Sequence, residues 1–170
     1  MNSTAETDET GDLQRDQVLE AVASALSNGP VGLVLVELWV EGENGEPIDP
    51  GAETRRELAT RLSRCLDNSD ELLTANVDRQ LIIKRNLSAP AETEGFALRL
   101  LNALGGPVNG GPTRGVCHST IGVAVSHASD GAEDLLRHAE HALTDAHLLG
   151  GDIVVCFEDE DREILPERQG

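Results

Sequence analysis

The stretch from Leu33 to Val40 is apolar at almost every position, interrupted by Glu37. A strand with one wet face alternates apolar and polar residues, so a run that is apolar at both parities belongs in the middle of a sheet, covered on both sides. Glu37 is the exception inside it. A carboxylate placed there requires a cationic or hydrogen-bonding partner.

Elements around that strand follow from spacing and punctuation. Asp12 caps a helix with Leu19, Val22 and Leu26 on one face, and Asn28, Gly29 and Pro30 stop it. Glu41 to Pro50, acidic and rich in Gly and Pro, reads as a loop, after which Leu58, Ala59, Leu62, Cys65 and Leu66 fall at helical spacing. Glu71 to Ala75 and Gln80 to Lys84 predict a hairpin across Asn76 to Arg79. Phe96, Ala97, Leu100, Leu101 and Leu104 mark a helix over Ala91 to Leu104, broken by Gly105 to Gly111. Val116 to Val125 reads as a strand, Leu135 to Ala146 as a long helix ended by Gly150 and Gly151, and Ile153 to Phe157 as a last strand. A helix followed by β-α-β-β-α-β-α-β predicts an α+β fold of the ferredoxin-like or palm class: a central, mainly antiparallel five-stranded sheet with helices packed on one face.

Charge narrows the function. With 170 residues, 31 acidic and 13 basic side chains, the chain is one domain in size and carries a formal charge of -18. That balance, without a basic stripe, argues against nucleic acid as a partner. No apolar run approaches the roughly 20 residues that cross a bilayer, and Met1 to Asp12 lacks the charged and apolar regions of an export signal. The expectation is a cytoplasmic protein with no membrane partner, in which residues 13–157 are the domain and the acidic segments 1–12 and 158–170 are disordered tails. Cys65, Cys117 and Cys156 are widely separated and read as reduced core thiols.

Four stretches, in order, resemble the GGDEF (diguanylate cyclase) family. Leu33-Val-Leu-Val-Glu-Leu-Trp39 stands where that family has an apolar strand ending in Asp-x-Asp. Glu57-Leu-Ala-Thr-Arg-Leu, followed by Asp67 to Asp70, stands at its Leu-Ala-x-Arg-Leu helix and Arg-x-x-Asp inhibitory motif. Ser119-Thr-Ile-Gly-Val-Ala is similar to its Ser-Ile-Gly-Val-Ala strand, and Asp134-Leu-Leu-Arg-His-Ala-Glu-His-Ala-Leu to its long late helix. The resemblance covers about Leu13 to Phe157 and implies a palm-like fold of GGDEF type, in a family that joins two GTP molecules into cyclic di-GMP.

At the positions that carry chemistry the likeness thins. Counting from Asp70, the Gly-Gly-Asp-Glu-Phe signature falls on Asn76, Val77, Asp78, Arg79 and Gln80. Val77 adds bulk where the backbone must approach a nucleotide, and Arg79 reverses a charge; it is expected to pair with Asp78 or Glu37 and take a cation's place. The metal pair implied by the resemblance is Glu37 and Asp78, two carboxylates able to hold Mg²⁺. The second acid of the strand motif is Trp39, the cations expected for triphosphate fall near His147 and Gly151, and the inhibitory arginine is Asp67, ahead of Asp70. Phosphoryl transfer depends on neutralising a polyphosphate. The expectation is a catalytically inactive, regulatory or adaptor member in bacterial signalling, with no catalytic residues and no cofactor beyond a vestigial Mg²⁺. Its partner would be a protein with a basic surface, met by Trp39, Glu41, Glu43 and Glu46, with a homodimer as a further possibility. The alternatives are a nucleotide-binding sensor without turnover and a weakly active cyclase.

Two other patterns have plain readings. Asp134, His138, His141 and Asp145 share one helical stripe, which is read as a solvated face rather than a transition-metal site. Cys117 and His118 are neighbours on a strand and point to opposite faces, so they do not form a nucleophile and base.

Overall fold

The computed structural model describes residues 15–76, 78–109 and 114–158. The expected tails therefore lie outside the described residues, Glu158 excepted, as does Val77. The chain forms α1 (Arg15–Leu26), β1 (Val31–Glu41), β2 (Pro47–Ile48), α2 (Gly51–Ser63), β3 (Glu71–Asn76), β4 (Arg79–Arg85), α3 (Ala91–Leu104), β5 (Gly106–Val108), β6 (Gly115–Val125), α4 (Ala132–Leu148) and β7 (Val154–Cys156).

The strands make one sheet with the path β3-β4-β1-β6-β5, to which β2 is added on β1 and β7 on β6. Only the β6–β7 pairing is parallel among those described. The expected strands are all present. The loop after β1 and the glycine-rich break after α3 contain two further short strands, β2 and β5, so the sheet has seven strands rather than five.

Strand β1 lies between β4 and β6, and Leu33, Val34, Leu35 and Val36 are at most 3% exposed. Its two parities face two cores. Leu33 and Leu35 join Val18 and Val22 of α1 and Leu135, Ala139 and Leu143 of α4. Val34 and Val36 join Leu62 of α2 and Phe96, Ala97 and Leu100 of α3. Helices thus cover both faces, which corrects the one-face expectation; it is also what a run apolar at both parities demands, since each exposed aliphatic side chain would forfeit about 1.5–3 kcal/mol of burial.

The α4 layer is closely seated. A Cβ at Gly122 of β6 would stand 2.4 Å from the Leu143 nitrogen and 2.6 Å from the Ala139 carbonyl oxygen. Beyond α4, Gly150 and Gly151 have φ of 110° and 80°. This left-handed turn, easy for glycine, returns the chain to the edge of β6. No described helix is long and apolar enough to cross a membrane.

Candidate functional site

Register fixes the first cluster. Glu37 lies opposite Arg79 on β4 and opposite Thr120 on β6. Arg79 donates from Nη2 and Nε to Glu37 Oε2 at 2.7 and 3.2 Å, and His147, near the end of α4, meets Glu37 Oε1. Both carboxylate oxygens are engaged. Burial pushes the Glu37 carboxyl up, but hydrogen bonds and charge from Arg79 and His147 outweigh it and hold the group below its ordinary value. Of the two partners open to Arg79, the fold selects Glu37.

Asp78 faces a different layer. It sits in the β3–β4 turn, exposed, with Arg55 of α2 at 3.5 Å, and its backbone oxygen accepts from the Leu38 N–H at 2.9 Å. Arg55 also reaches Asp49 at 3.1 Å. Asn76 ends β3 after a bulge, and Gln80 accepts a hydrogen bond from the Thr74 hydroxyl at 2.9 Å. Glu37 and Asp78 are therefore near in sequence register yet are held by opposite helical layers.

The remaining residues singled out from sequence are placed as follows. Asp70 is buried, 1% exposed in its side chain, and accepts from Lys84 Nζ at 3.0 Å and from the Asp67 N–H at 2.8 Å. Asp67 lies 3.8 Å from the same ammonium, which also stands 4.2 Å from the centre of the Phe96 ring. These acids clip the turn before β3 to the chain's single lysine. Cys117 is buried opposite His118, and burial pushes its thiol up to about 11. In α4, Asp134 is engaged by Arg137 and the Gly131 N–H, while His138 stacks on Phe157 at 4.0 Å. Among the described residues no group of three or more His, Cys, Asp or Glu is arranged to hold a metal ion.

A second cluster was not anticipated. Trp39 pairs across the sheet with His118, and their rings stack with centroids 4.4 Å apart. His118 is gripped by Glu41 at 2.6 Å and by Asp152 at 2.5 Å, and Asp152 also accepts from the Ser119 N–H at 3.1 Å. Burial disfavours the imidazolium, but the two carboxylates outweigh it, so the His118 pKa lies above 6.5. Trp39 is 39% exposed, and Glu43 and Glu46 are exposed in the β1–β2 hairpin.

On the α2 side the end of β1 borders a cleft of about 450 Å³. Leu38, Val40, Ile48, Leu58, Leu62 and Leu72 are among its apolar lining, and Asp49, Arg55 and Asp78 are its charged groups. Trp39 borders it as well. The helix above it, α2, is tied chiefly to α3.

The model of the diguanylate cyclase GGDEF domain matches residues 50–152, well over half of the chain. The chain belongs to the GGDEF domain family. Solved GGDEF domains share its fold. The domain of PA1120 (TpbB or YfiN) from Pseudomonas aeruginosa is 16% identical with a TM-score of 0.71, covering 89% of this chain and 94% of that one. An EAL/GGDEF domain protein from M. capsulatus is 22% identical with a TM-score of 0.64 over 84% and 96%. The diguanylate cyclase SiaD of P. aeruginosa, solved with its activator SiaC, is 18% identical with a TM-score of 0.64 over 91% of this chain and 62% of that chain. No curated protein matches this GGDEF domain.

Proposed function

We propose that this GGDEF domain is a non-catalytic binding module, a regulatory or adaptor domain of bacterial signalling whose partner is a protein with a basic surface. The observation that carries the reading is the closure of Glu37, the acid at the metal position, by Arg79 on one oxygen and His147 on the other. The residues present do not fit Mg²⁺ as arranged. A hard cation needs carboxylate oxygens converging with room for water and phosphate, whereas here Glu37 is held by Arg79 of β4 and His147 of α4, and Asp78 by Arg55 of α2. An arginine and an imidazole spent on an internal carboxylate do not neutralise a polyphosphate, so transition-state charge goes uncompensated.

Protein binding is supported by the charge of -18, which speeds encounter with basic surfaces, and by the SiaD–SiaC complex, in which a GGDEF protein of similar fold associates with another protein. Calorimetry with GTP, cyclic di-GMP and Mg²⁺ tests the reading: no heat is expected. Micromolar GTP binding overturns it in favour of a nucleotide sensor. Formation of cyclic di-GMP, lost in Glu37→Ala and Asp78→Ala, overturns it in favour of a cyclase.

A further inference from the structure

Close packing on the α4 side of the sheet stops at the row of Glu37 and Thr120. Helix α4 ends at Leu148, with His147 meeting Glu37, and the strands run on past it. Side chains alternate across a sheet, so Trp39 and Glu41 of β1 stand on the same face as Glu37. The next row pairs Trp39 with His118. The last row crosses four strands: Pro47 of β2, Glu41 of β1, Val116 of β6 and Pro107 of β5.

The two faces of this end of the sheet differ in cover. On the α2 side, Val40, Cys117 and Val108 pack with Leu58 and are at most 5% exposed. On the other, Trp39 and Val116 are 39% and 40% exposed. Leu148 and Leu149, where α4 stops, are 80% and 68% exposed, and Asp152, three residues on, touches His118, so the helix end borders the bare rows. Four of the five large apolar side chains exposed among the described residues thus gather at one place; the fifth is Leu98 of α3. A grouped apolar patch with a polar margin marks an interaction surface.

Charge and shape narrow the occupant. Glu41 and Asp152 share the one imidazole of His118, and Glu43 and Glu46, in the hairpin that carries Pro47, are exposed and outside the ion pairs found among the described residues. Against these four carboxylates stand His118 and the exposed Arg114 ahead of β6. A second copy carrying -18 is opposed by charge, as are the chain's own acidic segments 1–12 and 159–170. Pro47 and Pro107 lie on the outer strands of the strip and lack an N–H, which disfavours the addition of a further strand. The outer strands stand about 15 Å apart, and the strip continues the layer that α4 leaves, so a single helix about 10–12 Å across covers it.

We propose that this bare strip is the seat of a basic amphipathic helix of a partner protein, which lies on the sheet past the end of α4, sets its apolar face on Trp39, Val116, Leu148 and Leu149, and turns its Lys and Arg residues to Glu41, Asp152 and the β1–β2 hairpin. The inference rests on the non-catalytic binding reading and gives it a location. Apolar anchors carry most of the affinity in such interfaces, and rim charges set rate and salt dependence.

The test uses the full chain, labelled with ¹⁵N, and the capped peptide Lys-Leu-Ala-Lys-Leu-Leu-Arg-Lys-Leu-Ala-Lys-Leu-Leu-Arg, whose leucines share one helical face. Saturable shifts are expected at the amides of Val116, His118, Leu148 and Leu149 and at the indole of Trp39, the sole tryptophan. Val116→Glu, at an exposed position, should leave the thermal melt unchanged and weaken binding about tenfold. Glu43→Lys with Glu46→Lys should weaken it about three- to tenfold, with a flatter salt dependence. Ala59→Phe, exposed on the α2 side, should leave affinity within about twofold of the wild type. A peptide of the same composition with its leucines dispersed around the helix should bind at least about tenfold more weakly, and one with Glu in place of the basic residues should not bind. Equal binding of either control overturns the proposal, as do shifts confined to the α2 cleft, loss of binding in Ala59→Phe, or no shift at all. A homodimer in sedimentation that Val116→Glu disperses overturns it in favour of a second copy. The nucleotide calorimetry is independent: silent GTP with no shifts on the strip refutes the seat alone, while GTP binding refutes the non-catalytic reading beneath it.

Discussion

The two sides of β1 end differently. On the α4 side, Glu37 is sealed by Arg79 and His147, and the helix sits so close to β6 that Gly122 has no room for a methyl group. On the α2 side, Leu38 borders a cleft that is apolar in part, while Val40 is packed against Leu58. One strand thus carries a filled polar end and an unfilled apolar end, separated by the thickness of the sheet. Alternation along the strand makes this possible, because successive side chains answer to different layers and can be specialised independently. The carboxylate of the strand is on the side where packing around it is complete.

The largest effects should come from groups whose partners cannot move. Lys84→Met removes the ammonium from an Asp70 carboxylate that is 1% exposed. Methionine fills the space but leaves a buried charge, and the loss should be about 3–5 kcal/mol in urea unfolding. A change below about 1 kcal/mol would show that the Asp67–Asp70 turn opens to water readily. Gly122→Val comes next. Its branches would press on helix backbone at Leu143 and Ala139, which cannot yield as a side chain can; about 3 kcal/mol is expected. Equal tolerance of Gly122→Val and Ala59→Phe in thermal melts would erase the contrast between the tight and hollow sides.

Much of this frame was legible in the sequence. The run Leu33 to Val40 announces a central strand because aliphatic residues at both parities have only one comfortable location, and α3 is bounded by Pro90 and Gly105, whose backbone preferences mark its ends. The strands β2 and β5 were not legible: Pro-Ile and Gly-Pro-Val carry no period, and the neighbours that pair them, β1 and β6, lie elsewhere in the sequence. At the site, the charge reversal at Arg79 pointed to a pair with Asp78 or Glu37, and the partner it meets is Glu37. The His118 brace gave no such signal, since Asp152 is 34 residues away and reaches it only through a backbone with φ of 54° after two left-handed glycines. Partners brought together by long-range turns have no local spacing to betray them.

A smaller effect is expected at the sealed end. Arg79→Ala leaves Glu37 with His147, and the loss of a charge-assisted pair at a partly exposed carboxylate should cost about 1–2 kcal/mol. Adding Glu37→Leu should restore most of it, because the carboxylate that needed the arginine is then gone. The Glu37 contribution is fully present above the unfolded value near 4.5 and fades as pH falls through the depressed folded value. The wild type should therefore lose stability more steeply than the double variant as pH falls below about 4.5. Failure of the second substitution to rescue the first would mean that Arg79 supports the β3–β4 hairpin by itself.

The smallest expected effect concerns the brace around His118 at the end of β1, and it has a built-in reporter. Trp39 is the chain's single tryptophan and lies face to face with His118. Because Glu41 and Asp152 raise the His118 pKa above 6.5, the ion pairs are fully present below that pH and are lost as pH rises through the folded value. An imidazolium against the indole quenches its emission, so fluorescence should rise with pH along a single titration centred above 6.5, and unfolding stability should fall by less than about 1 kcal/mol over the same interval. His118→Gln should abolish that transition. His147 contacts Glu37 in the neighbouring cluster, so a transition that survives in His118→Gln and vanishes in His147→Gln would transfer the pH response to the sealed end. A centre at or below 6.5 would mean that desolvation of the imidazole outweighs its two carboxylates.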